Sequence, residues 1–139
     1  MTEHAAQIVI DLIDAWNAHD STRVAQHYAP EYVAIDVAYS KPLLGQQGGS
    51  HLMQRYVAAF PDLYISRDHM LAHGAQVALF WTFHGTHRGA FMNIPSTGRR
   101  IAVRGTSLFA VAAGQVVQGL HIWDVAGLLR TVGLLPDLP

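Results

Sequence analysis

The chain has 139 residues, of which 50% are hydrophobic and 14% are charged. This composition predicts one globular domain over residues 1–139, because the apolar content suffices for one core. The formal net charge is −1 and the nine Lys and Arg residues are scattered, so we expect no nucleic-acid partner. The absence of cysteine excludes disulfides, thiolate catalysis and cysteine-based zinc sites.

The N-terminus, Met1-Thr2-Glu3-His4, lacks a basic segment followed by an apolar run. The apolar stretches are also far shorter than the roughly 20 residues needed to span a bilayer. We therefore expect a cytoplasmic protein with neither a leader peptide nor a membrane partner.

The first third of the chain begins with two predicted helices. Apolar residues recur at helical spacing over residues 5–18, which predicts the first helix. Asp20 and Ser21 are favourable N-cap residues, and they predict a second, shorter helix that reaches Tyr28 and is stopped by Pro30.

A strand and a third helix are predicted next. Residues 32–37 have the composition of a short strand, and the glycines within residues 45–49 predict a loop. Ser50 can cap a helix that extends to Phe60, and Pro61 ends it.

Beyond Pro61 the hydrophobic period changes from about 3.6 to 2, which predicts a sheet. The predicted strands cover residues 63–73, 76–87, 99–111 and 115–123. Turns at Gly74 and Ala113-Gly114 make them antiparallel. Helices followed by such a meander indicate an α+β fold, in which a curved sheet surrounds helices on one face and leaves an apolar pocket. So apolar a sheet, covered by few helices, also predicts a homodimer.

An ordered set of short motifs runs along the chain. In sequence order these are Trp16-Asn17, Asp20, Phe60-Pro61-Asp62-Leu63, the segment FHGTHRG at 83–89, the segment FMNIPSTGR at 91–99, Asp124, Leu128-Leu129 and Gly133. Together they resemble the SnoaL-like polyketide cyclase family over nearly the whole chain.

The resemblance implies an NTF2-like α+β cone, usually a homodimer, with no cofactor and one buried acidic residue as acid/base. The original members of that family catalyse an intramolecular aldol condensation. Their catalytic aspartate precedes the C-terminal Leu-Leu pair, and the matching position here is Asp124. Where many relatives have Glu-His-Trp in the last strand, this chain has Gln118-Gly119-Leu120, and family Arg and Gln positions are occupied by Ala110 and Thr131. These departures indicate a rebuilt pocket.

Asp124 is also a candidate from strand alternation. The apolar face of Val116, Leu120 and Ile122 continues to this position, so a period of 2 predicts that the carboxylate turns inward. A buried carboxylate there is suited to proton transfer. The alternative is that Asp124 only caps a tail helix that starts at Val125.

Three histidines are candidates for polarising a substrate oxygen. His121 has the opposite parity to Asp124, but a bend at the strand end would bring the two together; otherwise His121 is a hydrogen-bonded, inert residue. His84 and His87 end a strand at the predicted rim, where they either donate to an enolate oxygen or lie at the surface or a dimer contact. No metal site is expected, because HExxH is absent and a spacing of three on a strand separates His84 from His87.

The predicted pocket walls are aromatic or flexible apolar side chains. They are Trp16, Tyr32, Phe60, Trp81, Phe83, Phe91 and Met92. Asn17, Asp36 and Arg104 are polar residues beside apolar runs. If Asp36, Arg104 and Asp124 converge, the site resembles instead the Asp-Arg-Asp arrangement of limonene epoxide hydrolase, in which carboxylates activate water.

The sequence therefore predicts a cofactor-independent enzyme of the SnoaL-like type that acts on a hydrophobic, cyclic or polyketide-like small molecule. Asp124 would remove a proton next to a carbonyl while a His or Trp donor holds the enolate oxygen. Hydrolysis or cofactor-free hydroxylation in the same cone is the second hypothesis. A binding protein without chemistry is the third.

Overall fold

The computed structural model describes residues 2–137, so the ends of the predicted domain, Met1, Leu138 and Pro139, lie outside the described residues. The elements in chain order are α1 (Thr2–Asn17), α2 (Ser21–His27), β1 (Tyr28–Asp36), β2 (Leu43–Leu44), α3 (Gly45–Ala59), β3 (Tyr64–His73), β4 (Gln76–Thr86), β5 (Arg100–Ala112), β6 (Gln115–Trp123) and α4 (Val125–Thr131).

The six strands form one curved sheet in the order β2-β1-β6-β5-β4-β3. All neighbours are antiparallel except β1 and β6, which run parallel. The predicted α+β class is thereby confirmed, and the four long predicted strands agree with β3 to β6 to within one residue at each end.

Two predicted boundaries in the first half are wrong. The second helix ends at His27, and Tyr28 already belongs to β1, which continues through Pro30. The third helix begins at Gly45, whereas the sequence predicted a loop up to Ser50. A Cβ atom at Gly49 would overlap the Tyr28 ring, so this glycine lets α3 pack closely on β1. That packing outweighs the low helix propensity of glycine.

A β-bulge in β6 changes which of its residues face inward. Val111 pairs with Val116 but Ala110 pairs with Gln118, so Val117 is an extra residue without a partner in the register. One extra residue reverses the alternation of a strand. Val116 faces inward before the bulge, and odd-numbered residues face inward after it.

The core lies between the concave face of the sheet and the helices. Val9 and Leu12 of α1, Val77 and Leu79 of β4, and Val116 of β6 are buried almost completely. Within residues 2–137, no helix is both long enough and apolar enough to cross a membrane.

Candidate functional site

A cavity of about 110 Å³ lies on the concave side of the sheet. Its walls are mainly aromatic, and six of the seven predicted wall residues line it: Trp16, Tyr32, Phe60, Trp81, Phe83 and Phe91. The polar residues in the lining are few, which is typical of sites that bind small apolar molecules. Among them are Asp36, Ser107 and His121.

His121 lies at this cavity as the end of a hydrogen-bonded chain. Its Nδ1 atom is 2.6 Å from Ser107 Oγ, and Trp81 Nε1 donates to the same oxygen at 2.9 Å. Ser107 and His121 are paired residues on β5 and β6, so the sheet register itself holds the contact. The bulge at Val117 makes this possible, because without it His121 would face outward.

The environment of His121 favours the neutral imidazole. Burial lowers the pKa of His121 below its usual 6.5, and the nearby charge of Asp36 opposes that shift in part. A neutral imidazole retains one nitrogen that can accept a proton. The arrangement therefore supplies a base at neutral pH.

Asp36 is the carboxylate of the cavity, and it is only 4% exposed. Its Oδ1 atom accepts from Trp123 Nε1 at 2.8 Å and from the Ala38 backbone N–H at 2.9 Å. Within residues 2–137, Oδ2 has no hydrogen-bond partner. The sequence pattern held a signal for this placement, since Tyr32 and Asp36 share one parity in β1 and the residues between them alternate.

Tyrosine hydroxyls lie near the His121 imidazole and the Asp36 carboxylate. A Cβ atom at Gly119 would lie 3.0 Å from His121 Nε2 and 3.1 Å from Tyr32 Oη, so both atoms flank the space that the missing side chain leaves. The Tyr56 hydroxyl, in the cavity wall, is 3.2 Å from that of Tyr39. Burial raises the pKa values of Tyr32 and Tyr56, which keeps these phenols protonated as donors.

The structure places Asp124 outside the cavity, so the inward orientation predicted from alternation is wrong. The side chain is exposed, and its Oδ1 atom accepts from the Gly127 backbone N–H at 2.8 Å as the N-cap of α4. Leu120 and Ile122, expected on the inner face, are 37% and 49% exposed on the outer face. The cause is the bulge at Val117, which sequence periodicity does not reveal.

Two other predicted polar residues also lie outside the cavity lining. The Asn17 amide exchanges two hydrogen bonds with the Ile65 backbone, at 2.7 and 2.9 Å, and thereby ties α1 to β3. Arg104 projects from β5 into solvent. Asp36 is buried whereas Arg104 and Asp124 are exposed, so the three do not converge as an epoxide-hydrolase arrangement requires.

The two predicted rim residues, His84 and His87, and the predicted wall residue Met92 are likewise not in the cavity lining. His84 is half-buried, with its Nε2 atom 3.4 Å from Ser66 Oγ. His87 is buried behind Phe60, and its Nδ1 atom is 3.0 Å from Thr97 Oγ1. Met92 is 37% exposed in a tight turn with a positive φ. Residues 2–137 contain no group of three or more His, Cys, Asp or Glu side chains placed to hold a metal ion.

An α+β cone with an aromatic cavity on the concave side of its sheet defines the structural class, and comparisons with known proteins identify the family. The sequence model of the SnoaL-like polyketide cyclase family matches residues 6–132. The chain belongs to this family. A search of curated proteins found no match.

Several solved structures share the fold. AclR, a proposed hydroxylase from Streptomyces galilaeus, is 27% identical with a TM-score of 0.87, over 100% of this chain and 87% of that chain. IdmH, a proposed polyketide cyclase from Streptomyces antibioticus, is 25% identical with a TM-score of 0.81, over 93% and 98%. A proposed SnoaL-like polyketide cyclase from a Jannaschia species is 19% identical with a TM-score of 0.87, over 98% and 96%, and shows the fold alone.

The cap assignment of Asp124 predicts a specific pattern of stability. Asp124→Ala lowers the free energy of unfolding by about 1 kcal/mol, whereas Asp124→Asn, which keeps an accepting oxygen, changes it by a few tenths at most. Urea denaturation measures both, with Asp137→Ala as an exposed control that leaves stability unchanged. An equal loss in Asp124→Asn and Asp124→Ala would contradict the cap assignment.

Proposed function

We propose that this protein is a cofactor-independent enzyme that closes a ring in a small carbonyl compound by aldol-type acid/base chemistry. The observation that carries the proposal is the half-buried imidazole of His121, which contacts Ser107 at an aromatic cavity while Trp81 donates to the same hydroxyl. Membership in the SnoaL-like polyketide cyclase family supports the reaction class. We assign the acid/base role to His121 and not to Asp124, because the Asp124 carboxylate is exposed outside the cavity.

The first step is removal of a proton from a carbon next to a carbonyl group. In the active tautomer, His121 donates its Nδ1–H to Ser107 Oγ, which leaves the lone pair of Nε2 available to the substrate. The C–H bond breaks, an N–H bond forms at Nε2, and the electron pair moves to the carbonyl oxygen as an enolate. The negative charge of Asp36 stabilises the imidazolium that results.

The enolate oxygen needs a donor, and Tyr32 is the group we assign to it. Its hydroxyl and His121 Nε2 both approach Gly119 and both residues line the cavity, so one substrate carbonyl can meet the donor while its neighbouring carbon meets the base. The walls around this charge are largely apolar, so the local dielectric is lower than in water, which strengthens the hydrogen bond.

Ring closure follows from the same groups. The enolate carbon attacks a second carbonyl of the substrate, a C–C bond forms, and the new alkoxide takes the proton back from His121 Nε2. Protons and electrons balance within the substrate, so this sequence requires neither an electron acceptor nor a metal. The aromatic walls bring the two carbonyl groups together by favouring a folded substrate over an extended one.

The similarity to AclR favours hydroxylation as a second candidate. The two reactions differ in the mass of the product: aldol addition leaves the mass of the substrate unchanged, whereas hydroxylation adds an oxygen atom. Mass spectrometry of the product therefore separates them.

The proposed base gives a direct prediction for turnover. His121→Asn keeps a group in the position of Nδ1 that can bond Ser107, but it has nothing in the position of Nε2. With a linear 1,5-diketone that closes to a β-hydroxycyclohexanone, we expect kcat to fall by about 10² to 10⁴ while circular dichroism stays unchanged. His84→Asn, outside the cavity, serves as the matched control and keeps the parent kcat. Activity in His121→Asn within about threefold of the parent would refute this base.

We also propose that the protein is a homodimer through the outer face of the sheet. Cross-strand partners there form a row of five apolar residues: Ile35, Leu120, Leu108, Ala78 and Leu71. Leu108 and Leu120 lie at its centre and are 41% and 37% exposed in the single chain. An exposed apolar face of this kind is typical of a subunit contact.

Light scattering tests the dimer. We expect the mass of a dimer for the parent and of a monomer for Leu120→Glu, because a carboxylate at the centre of the row would be desolvated by the partner. Leu134→Glu, at an exposed leucine of the C-terminal segment, is the control and should remain dimeric. A parent of monomer mass at high micromolar concentration would rule the dimer out.

A further inference from the structure

The formal charge of the cavity lining is negative. Asp36 is its carboxylate, and within residues 2–137 neither a lysine nor an arginine lines the cavity. The carboxylate is almost completely buried, yet its Oδ2 atom is bonded to no described residue. A buried charge ordinarily has a partner, because desolvation without one is costly.

Aromatic rings surround this carboxylate. Trp123 donates to it, and its charge acts on the phenols of Tyr32, Tyr39 and Tyr56. Three of these rings, those of Tyr32, Tyr56 and Trp123, line the cavity. Aromatic faces attract cations through the quadrupole of the ring, and a carboxylate beside such faces adds a direct opposite charge.

We propose that the cavity binds ligands that carry an ammonium centre, with the positive charge placed against Asp36 Oδ2 and the rings of Tyr32, Tyr56 and Trp123. This inference rests on the proposed function, because it takes the cavity to be the substrate-binding site. The substrate would then be a carbonyl compound that also bears an amine. A nearby ammonium group also makes a C–H bond next to a carbonyl more acidic, which suits removal of that proton by His121.

The other charged groups near Asp36 do not neutralise it. Burial lowers the pKa of His121, so its imidazole is uncharged at neutral pH. Arg55 is exposed on α3, outside the lining, and its charge acts on Tyr39 and Tyr56. A carboxylate or phosphate ligand would therefore meet a like charge in the cavity with no cation to offset it.

Choline and two analogues of the same shape provide the test. In the uncharged isostere dimethylbutanol a quaternary carbon replaces the nitrogen, and dimethylbutanoate is the corresponding anion. All three tryptophans of the chain, Trp16, Trp81 and Trp123, line the cavity, so quenching of intrinsic fluorescence reports binding. Isothermal titration calorimetry provides the second readout.

We expect choline to bind at least about tenfold more tightly than dimethylbutanol, and dimethylbutanoate to bind most weakly. In Asp36→Asn the ratio of choline to dimethylbutanol affinity should fall to about one. Glu31→Gln removes the same charge from an exposed position of β1 and should leave the ratio unchanged. The ratio of choline to dimethylbutanol affinity in the parent protein is measured without any variant. It therefore decides the proposal even if Asp36→Asn fails to fold.

Equal affinities of the parent for choline and dimethylbutanol would overturn the proposal, as would a choline preference that persists in folded Asp36→Asn. Absence of saturable choline binding up to about 50 mM would do the same. His121→Asn separates the two proposals: it should lose turnover but keep the choline ratio. A parent that prefers choline but closes no ring would leave the ammonium site standing and refute the proposed reaction.

Discussion

The site depends on one extra residue in β6. Without Val117 the strand would keep its initial parity, Leu120 and Ile122 would fill the cavity, and His121 would face outward. With it, the half-buried His121 imidazole meets Ser107 on β5, and Trp123 meets Asp36 on β1. A bulge changes the direction of the side chains that follow it, often next to a functional site, and leaves one residue without a partner in the sheet. The same shift creates the apolar row on the outer face of the sheet.

The cavity combines groups that are costly to bury with neighbours that compensate for them. The Asp36 carboxylate receives two N–H donors on Oδ1, and His121 avoids charge through its lowered pKa. Because Gly119 has no side chain, His121 Nε2 and the Tyr32 hydroxyl can both lie close to it. The imidazole of His121, the hydroxyl of Tyr32 and the carboxylate of Asp36 are thereby held on two neighbouring strands of one sheet, β6 and β1, which is the kind of preorganisation that catalysis and selective binding require.

Periodicity predicted the elements well where packing agreed with local preference. The change of period after Pro61 located β3 to β6, because each has one buried and one exposed face. Tyr32 and Trp81 were expected in the cavity and line it. Asp124 was misplaced because a bulge leaves no mark in hydrophobicity, and the importance of Asp36 was missed because it depends on Trp123, 87 residues away. Pairing between distant strands is a tertiary effect that a single sequence does not display.

We infer that His121 is a half-buried, neutral base that is influenced by the Asp36 carboxylate, and an NMR titration of its imidazole nitrogens checks this inference. His121→Asn identifies the resonances among the nine histidines. We expect a His121 pKa below 6.5 with the proton on Nδ1 above that pKa, and a further decrease of the pKa in Asp36→Asn, because the carboxylate charge opposes the shift. A pKa at or above 6.5, unchanged by Asp36→Asn, would contradict it.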